Sequence, residues 1–251
     1  LAQLWTEAVQ WENANLTSLK RIQVGGSKLV YSQAIKMQKA FPGTLQQVFG
    51  MAEGLIACTR LTDPPEVIAS MQGQPVSSWD EIRIVDEEGN EVPQGEEGEL
   101  LTRGPYTLHG YYRAPEHNAR SFTKDGFYRS GDKVRINAER YLTVTGRIKD
   151  IINRAGECIA AEEIEEQLLA HPNIAQVAVV AVPDNHLGER IGVAAVIHGE
   201  QMTLQKLRQF LISRNLAKFK LPDELMLLSS LPKTAVGKVD KKAILGTSGA
   251  P

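Results

Sequence analysis

The spacing of apolar residues changes twice along this 251-residue chain, and those changes constrain its fold more than any single motif. Near the start, Leu4, Trp5, Ala8 and Val9 recur at helical spacing, whereas Leu19-Lys20-Arg21-Ile22-Gln23-Val24 alternates as a strand does before Gly25-Gly26-Ser27. Ser32 is placed to cap a helix carrying Ile35 and Met37, and Pro42-Gly43 stops it. Residues 44–49 read as a second strand, entering Gly50. Strand, glycine turn, helix, strand is the order of a parallel α/β sheet with ligand-binding loops at its strand ends.

From about residue 74 the period shortens. Glu81-Ile82-Arg83-Ile84-Val85 and Gly98-Glu99-Leu100-Leu101-Thr102-Arg103 flank the turn-rich Asp86-Glu87-Glu88-Gly89-Asn90, a hairpin signature. Short strands are expected at Phe127-Tyr128, at 134–136 and at 141–145, which makes residues 74–148 an antiparallel β block, a small barrel. Near residue 149 the pattern changes again. A helix over 161–170 sets Ile164, Leu168 and Leu169 opposite its glutamates, strands are expected at 177–182, 191–197 and 225–228, and 203–215 forms an amphipathic helix. Residues 149–245 thus read as an α+β unit of about 100 residues, large enough to fold alone. The small-residue tail, 246–251, reads as linker, and the chain opens on Leu1 rather than Met, so both ends look cut from something larger.

Composition excludes several classes. Lysine plus arginine against aspartate plus glutamate is 28 − 30 = −2, so no global basic field draws the chain onto nucleic acid. No apolar run approaches the ~20 residues of a membrane span, and none is expected. Cys58 and Cys158 form no C-x-x-C pair, which favours a reducing, cytoplasmic setting.

Five stretches carry chemistry. Bare backbone at Gly25-Gly26 lets a flat ring or a phosphate approach, although an ordinary tight turn needs the same residues. Glu53, amid small residues past a strand end, suits an oxygen-seeking Mg²⁺ or simply a solvated loop. Asp132, in Tyr128-Arg129-Ser130-Gly131-Asp132, is placed either to take both ribose hydroxyls of a nucleotide or to bond its own turn. Arg147 and Lys149, in Gly146-Arg147-Ile148-Lys149-Asp150, sit where a ribose or phosphate contact and a hinge would lie, or in a charged linker. Gly237-Lys238 offers a mobile point charge for phosphate chemistry, in a segment whose lysines are otherwise surface residues.

Their order is more specific than any of them alone. Gly-Gly-Ser-Lys, Phe-Gly-Met-Ala-Glu, Tyr-Arg-Ser-Gly-Asp, Gly-Arg-Ile-Lys-Asp with Asn153-Arg154-Ala155-Gly156-Glu157, and Val-Gly-Lys-Val-Asp-Lys resemble the adenylate-forming superfamily over residues 19–245. Gly98-Glu99-Leu100-Leu101-Thr102-Arg103-Gly104 and Gly110-Tyr111-Tyr112 add to the match. Gln46 to Leu55, then Thr59-Arg60-Leu61, with Ile159-Ala160-Ala161-Glu162-Glu163-Ile164-Glu165 and Phe219-Lys220-Leu221-Pro222-Asp223, are similar to its stand-alone aryl-acid AMP ligases of siderophore biosynthesis. As in that group, Ala52 stands where most relatives carry threonine.

The resemblance implies the C-terminal part of an adenylate-forming core, residues 1–148, followed by a mobile lid domain, 149–245, hinged at Lys149. It implies aryl-acid adenylation by ATP with Mg²⁺, then transfer of the aryl group to the phosphopantetheine thiol of an aryl carrier protein or domain. Salicylate or 2,3-dihydroxybenzoate would be the acid. Lys238 would be the catalytic lysine, Glu53 a Mg²⁺ ligand, Asp132 and Arg147 ribose and phosphate contacts, and Gly26 and Val48 the flanks of adenine. Ala52 and Ile56 would wall the aryl pocket, and the loop near Gly156 would face the pantetheine. The family's phosphate-binding loop has no counterpart here, so the chain is expected to be inactive without a partner N-terminal half. The alternatives are an aryl- or fatty-acid CoA ligase of the same superfamily and a non-catalytic carrier-docking module.

Overall fold

Residues 2–12, 15–199, 201–235 and 237–247 are described by the computed structural model, in which the chain divides into two units, Leu1–Thr145 and Gly146–Pro251. The first opens with α1 (Ala2–Trp11), β1 (Arg21–Gly25), α2 (Tyr31–Ala40), β2 (Thr44–Gly50), β3 (Ile56–Cys58), α3 (Pro65–Ser70) and β4 (Gln74–Pro75). Strands β1 and β2 are parallel, from Arg21 opposite Thr44 to Gly25 opposite Val48, and β3 and β4 extend the sheet antiparallel. Leu29, Ala34, Met37, Phe41, Leu45, Ile68 and Ala69 pack together beneath it. Ser32 is not the cap of α2. Val30 holds that position, because its carbonyl accepts from both Gln33 N and Ala34 N and so closes the first turn two residues earlier than expected.

Buried polar side chains fix β2 on both of its faces. Gln47 Nε2 donates to Ile68 O at 2.6 Å and to Ala69 O at 3.3 Å, satisfying carbonyls that the end of α3 leaves open. Gln46 Nε2 donates to Thr59 O at 2.7 Å, and Gln72 Oε1 accepts from Val144 N at 2.7 Å. Two glutamines in mid-strand are therefore structural, since buried amides must be paired.

The second sheet comprises β5 (Glu81–Val85), β6 (Gly98–Arg103), β7 (Tyr128–Ile136) and β8 (Leu142–Arg147), with α4 (Pro115–Ser121) between β6 and β7. The antiparallel block is realised as a four-stranded sheet in the order β5-β6-β7-β8. It starts at Glu81 rather than residue 74, because Gln74 and Pro75 still pair with β3. The separate strands expected near 127–128 and 134–136 are one strand, β7. A bulge opposite the Glu99/Leu101 step, with Gly131 at φ +69°, absorbs the extra residues.

The second unit contains β9 (Ile151–Arg154), β10 (Glu157–Ala160), α5 (Ala161–Leu169), β11 (Ile174–Asp184), β12 (Gly188–Ile197), α6 (Leu204–Ser213), β13 (Glu224–Leu227) and α7 (Lys241–Thr247). The sheet runs β10-β9-β12-β11, with β13 parallel to β12. Ile152, Ile159, Ile164, Leu168, Ile191, Leu207 and Leu211 are all fully buried in one core. Thr203 caps α6 by accepting from Lys206 N at 3.2 Å. Helix α7 corrects the linker reading of the tail. Asp240 Oδ1 accepts from Lys242 N and Ala243 N at 3.1 Å, Ile244 is fully buried, and Gly246 and Thr247 continue the helix. The rest of that tail, 248–251, lies outside the described residues.

Two tyrosines tie segments of the first unit together. Tyr106 donates to Asp80 Oδ2 and Tyr141 to Asp63 Oδ1, each at 2.6 Å. Burial, then the hydrogen bond and charge of the carboxylate, pushes both phenols up from 10.0 to about 12. The folded state thus favours the neutral phenol. The stability it confers is complete below the ordinary phenol range and is lost as pH rises toward about 12. Thermal melts should show the midpoint falling across that alkaline interval, and less steeply in the Tyr106→Phe/Tyr141→Phe double variant. The same slope in both proteins would contradict this.

Candidate active site

The C-terminal edge of the parallel strand pair gathers five of the expected residues. Gly25 lies opposite Val48 so closely that a Cβ there would stand 2.6 Å from Val48 O. Gly26 follows at φ +88°, a backbone conformation that favours glycine, and no atom lies within 4 Å of where its Cβ would be. The exposed Gly26 and the half-buried Val48 therefore share one edge, as a flat ring between them requires. Beyond β2 the chain turns tightly through Ala52 and Glu53, with Met51 N donating to Leu55 O at 3.0 Å and Gly54 N to Met51 O at 3.3 Å. It returns at Ile56, opposite Gly50, with Ile56 43% exposed, so Ala52 and Ile56 both offer open surface beside Glu53.

Tyr111 was missed as a site residue, although its Gly-Tyr-Tyr stretch stood out in the sequence. Its hydroxyl donates to Glu53 Oε1 at 2.8 Å, and Leu108 N donates to Glu53 O at 2.9 Å. Tyr111 Oη also lies 3.2 Å from Tyr128 Oη. Burial first, then these two neighbours, raises the Tyr111 pKa well above the usual phenol range, so its proton stays in place to orient the carboxylate. Asn118 of α4 clamps the Tyr111 backbone at both ends, accepting from Tyr111 N at 2.7 Å and donating to Tyr111 O at 2.9 Å. The rings of His117 and Phe122 pack on Tyr111 at 4.7 and 6.0 Å.

Asp132 lies in the second sheet, within β7 and not in a turn between strands. Gly131 supplies the left-handed residue of the bulge, and Asp132 N donates to Ser130 Oγ at 3.0 Å. Asp132 is largely buried. Among the described residues no group of three or more histidines, cysteines or acids is arranged to hold a metal. A Mg²⁺ would be held by Glu53, one of whose oxygens accepts the hydrogen bond from Tyr111, together with nucleotide phosphates. That sparse protein share fits magnesium's usual coordination.

Arg147, Lys149, Gly156 and Lys238 belong to the second unit. Arg147 ends β8 and Lys149 is exposed in the 3-10 turn Ile148–Asp150. Ala155 at φ +52° and Gly156 at φ +89° form a two-residue turn joining β9 to β10, the pair of positive φ values that a tight right-twisted hairpin demands. Arg154, at the base of that turn, donates from Nε and Nη2 to both oxygens of Asp223 at 2.9 Å. Burial works against the Asp223 carboxylate, but hydrogen bonds from Arg154 and Ile191 N and the charges of Arg154 and Arg208 outweigh it and lower its pKa. Lys238 is exposed in a loop closed by Thr234 N donating to Lys238 O at 2.7 Å and Gly237 N to Thr234 O at 2.8 Å, with Gly237 at φ +81°. Val236 of that motif lies outside the described residues. Two shallow cavities, around Ile82, Glu91 and Pro93 and around Asp63, Val67 and Tyr141, hold none of the expected site residues.

Two family models match, "AMP-binding enzyme" over residues 2–112 and "AMP-binding enzyme C-terminal domain" over 163–238. The chain is 50% identical over 244 residues to the 2,3-dihydroxybenzoate-AMP ligase of Bacillus subtilis, covering 97% of this chain and 45% of that protein. It is 51% identical over 249 residues to the salicyl-AMP ligase / salicyl-S-ArCP synthetase of Mycobacterium tuberculosis, covering 99% and 44%. The ATP-bound structure of MatB from Rhodopseudomonas palustris superposes with a TM-score of 0.82 at 26% identity, covering 90% of this chain and 44% of that one. The chain thus spans a little under half the length of the curated relatives it matches. With both domain models in order along it, and the mixed α/β fold they entail, the chain belongs to the AMP-binding, adenylate-forming enzymes.

Proposed function

We propose that this chain is the later part of an aryl-acid AMP ligase, which activates salicylate or 2,3-dihydroxybenzoate with ATP and passes the aryl group to the phosphopantetheine thiol of a carrier protein. The observation that carries this reading is the edge holding Gly26, Val48, Ala52, Glu53 and Ile56, in a chain about half identical to ligases named for those acids. Ala52 supports a flat aromatic substrate, since a small side chain leaves room beside the carboxylate of Glu53. The two free cysteines, Cys58 and Cys158, fit a reducing cytoplasm.

In the first half-reaction the aryl carboxylate attacks the α-phosphorus of ATP and pyrophosphate leaves. Charge on the phosphoryl oxygens is spread in the transition state, so positioned cations and donors do most of the work. Lys238 bridges the carboxylate and the α-phosphate as a mobile point charge. Asp132 takes the ribose hydroxyls, Arg147 supports ribose and phosphate, and Gly26 and Val48 flank adenine. Glu53, oriented by Tyr111, holds Mg²⁺, which neutralises phosphate charge when bound. In the second half-reaction the thiol displaces AMP, with the Gly156 turn on the pantetheine side and Lys149 as the hinge.

The test is ATP–pyrophosphate exchange. A chimera joining the N-terminal portion of the Bacillus subtilis relative to this chain should exchange with salicylate or 2,3-dihydroxybenzoate, and Lys238→Ala in it should lower the rate about 100-fold or more. The 251 residues alone should give none. Exchange by the isolated chain would overturn the partial-ligase reading, and thioester formation on coenzyme A but not on holo carrier protein would favour a CoA ligase instead.

Two substitutions sharpen the assignments. Ile56 carries one methylene more than valine, worth ~1–3 kcal/mol at most in a pocket. Ile56→Val should therefore raise the use of 2,3-dihydroxybenzoate relative to salicylate by about tenfold, and by no more than about 200-fold, in kcat/KM, and an unchanged ratio would remove Ile56 from the pocket wall. Lys149→Pro fixes φ at the proposed hinge and should spare adenylation while slowing thioester formation. Equal loss of both would count against the hinge.

A further inference from the structure

Three of the stretches that carry the family resemblance meet at one half-buried charge cluster in the second unit. Lys241, the last residue of Val-Gly-Lys-Val-Asp-Lys, begins α7 three residues after Lys238. Its Nζ lies 2.9 Å from Glu165 Oε1 and 3.8 Å from Asp150 Oδ2. Asp150 closes the 3-10 turn that contains Lys149. Glu165, on α5, also accepts from Val179 N of β11 at 2.8 Å through that same Oε1, so one oxygen joins Lys241 to the sheet. Glu162, one turn earlier on α5, is buried with its Oε2 lacking any hydrogen-bond partner, and a Cβ on Gly146 would stand 3.1 Å from that oxygen.

The charges account for the arrangement. Burial works against the Lys241 ammonium, but the carboxylates of Glu165, Asp150 and Glu162 outweigh it and raise its pKa. Burial dominates at Glu162 and raises its pKa, the direction that spares the cluster an uncompensated negative charge. One lysine therefore serves the turn through Asp150 and the helix and sheet through Glu165. The half-buried hydrogen bond to Glu165 holds geometry more tightly than an exposed pair, and the longer contact to Asp150 adds an ion pair.

We propose that Lys241 is a positioning residue, setting the Lys238 loop relative to the Lys149 turn so that adenylation, and not thioester formation, depends on the tie between them. This rests on the roles given above to Lys238 and Lys149. Lys241 touches no reacting atom. It acts through Asp150 on one side and through the start of α7 on the other, and a misplacement of a charged group by about 1 Å is enough to cost on the order of 100-fold in rate.

The experiment uses the chimera described above, with four variants: Lys241→Met, Lys241→Arg, Asp150→Asn and Glu165→Gln. Lys241→Met should lower kcat for ATP–pyrophosphate exchange about 10- to 100-fold, with KM for ATP and aryl acid within about threefold of the parent. Transfer from preformed aryl-AMP to holo carrier protein should stay within about threefold. Lys241→Arg, which keeps the charge, should recover most of the loss, and Asp150→Asn should reproduce the selective defect should Lys241→Met fail to fold. A merely structural role predicts instead that both half-reactions fall together with thermal stability and that Arg rescues neither. That result, or parent-level exchange in both Lys241→Met and Asp150→Asn, would overturn the proposal. If the parent chimera itself does not exchange, the ligase reading fails and not the tie. The tie is then read from hydrogen exchange of residues 148–150 in the 251-residue chain, which Lys241→Met should speed and Lys241→Arg should not. Equal protection in parent and Lys241→Met would overturn it there.

Discussion

The site edge depends on the close parallel approach of β1 and β2 where Gly25 faces Val48. Any side chain at Gly25 would enter the carbonyl of Val48, so the pairing exists only because that position has none. The consequences follow in order. Parallel pairing puts the ends of both strands on one edge, the glycine pair exposes backbone there, and β2 runs on into the turn that presents Ala52 and Glu53. Gln46 and Gln47, adjacent in β2 and so on opposite faces of the sheet, are each paired, Gln46 with Thr59 O and Gln47 with Thr59 Oγ1, Gln72 and the end of α3. Half-satisfied, such a network would weaken the strand, and fully engaged it holds one register.

Positioning in this molecule is layered. Glu53 is oriented by Tyr111, Tyr111 is fixed by Asn118, and Asn118 sits on α4, a short helix with little burial of its own. In the second unit Arg154 and Asp223 hold the base of the Ala155-Gly156 turn in the same manner. Glu53 and the Gly156 turn are thus each held in place by neighbouring side chains.

The sequence was legible where chemistry is local. Alternation over 19–24 and 81–85, the helical period over 161–170 and the glycine turns each reflect nearest-neighbour constraints, and the corresponding elements formed. What escaped were features decided by distant partners. Asp132 read as a turn residue because Ser-Gly-Asp is turn-like, and only its pairing against β6 makes it part of a bulged strand. The helix at 241–247 was hidden by a small-residue ending, since its capping aspartate and the burial of Ile244 are not visible from composition. Tyr111 and Lys241 stood within motifs legible in the sequence, but their partners were not, because a hydroxyl or an ammonium declares its contacts only through whichever carboxylate faces it.

The exposure of Lys238 and the enclosure of Lys241 have a further chemical consequence. An acyl-adenylate is a mixed anhydride, and it acylates amines that carry a free lone pair. Lys241 is kept protonated by surrounding carboxylates and is shielded by its own fold, so its nucleophilicity is quenched. Two lysines three residues apart in one segment thus have opposite settings, Lys238 open to solvent and Lys241 held between carboxylates, so a reagent that acylates amines should label the first well before the second.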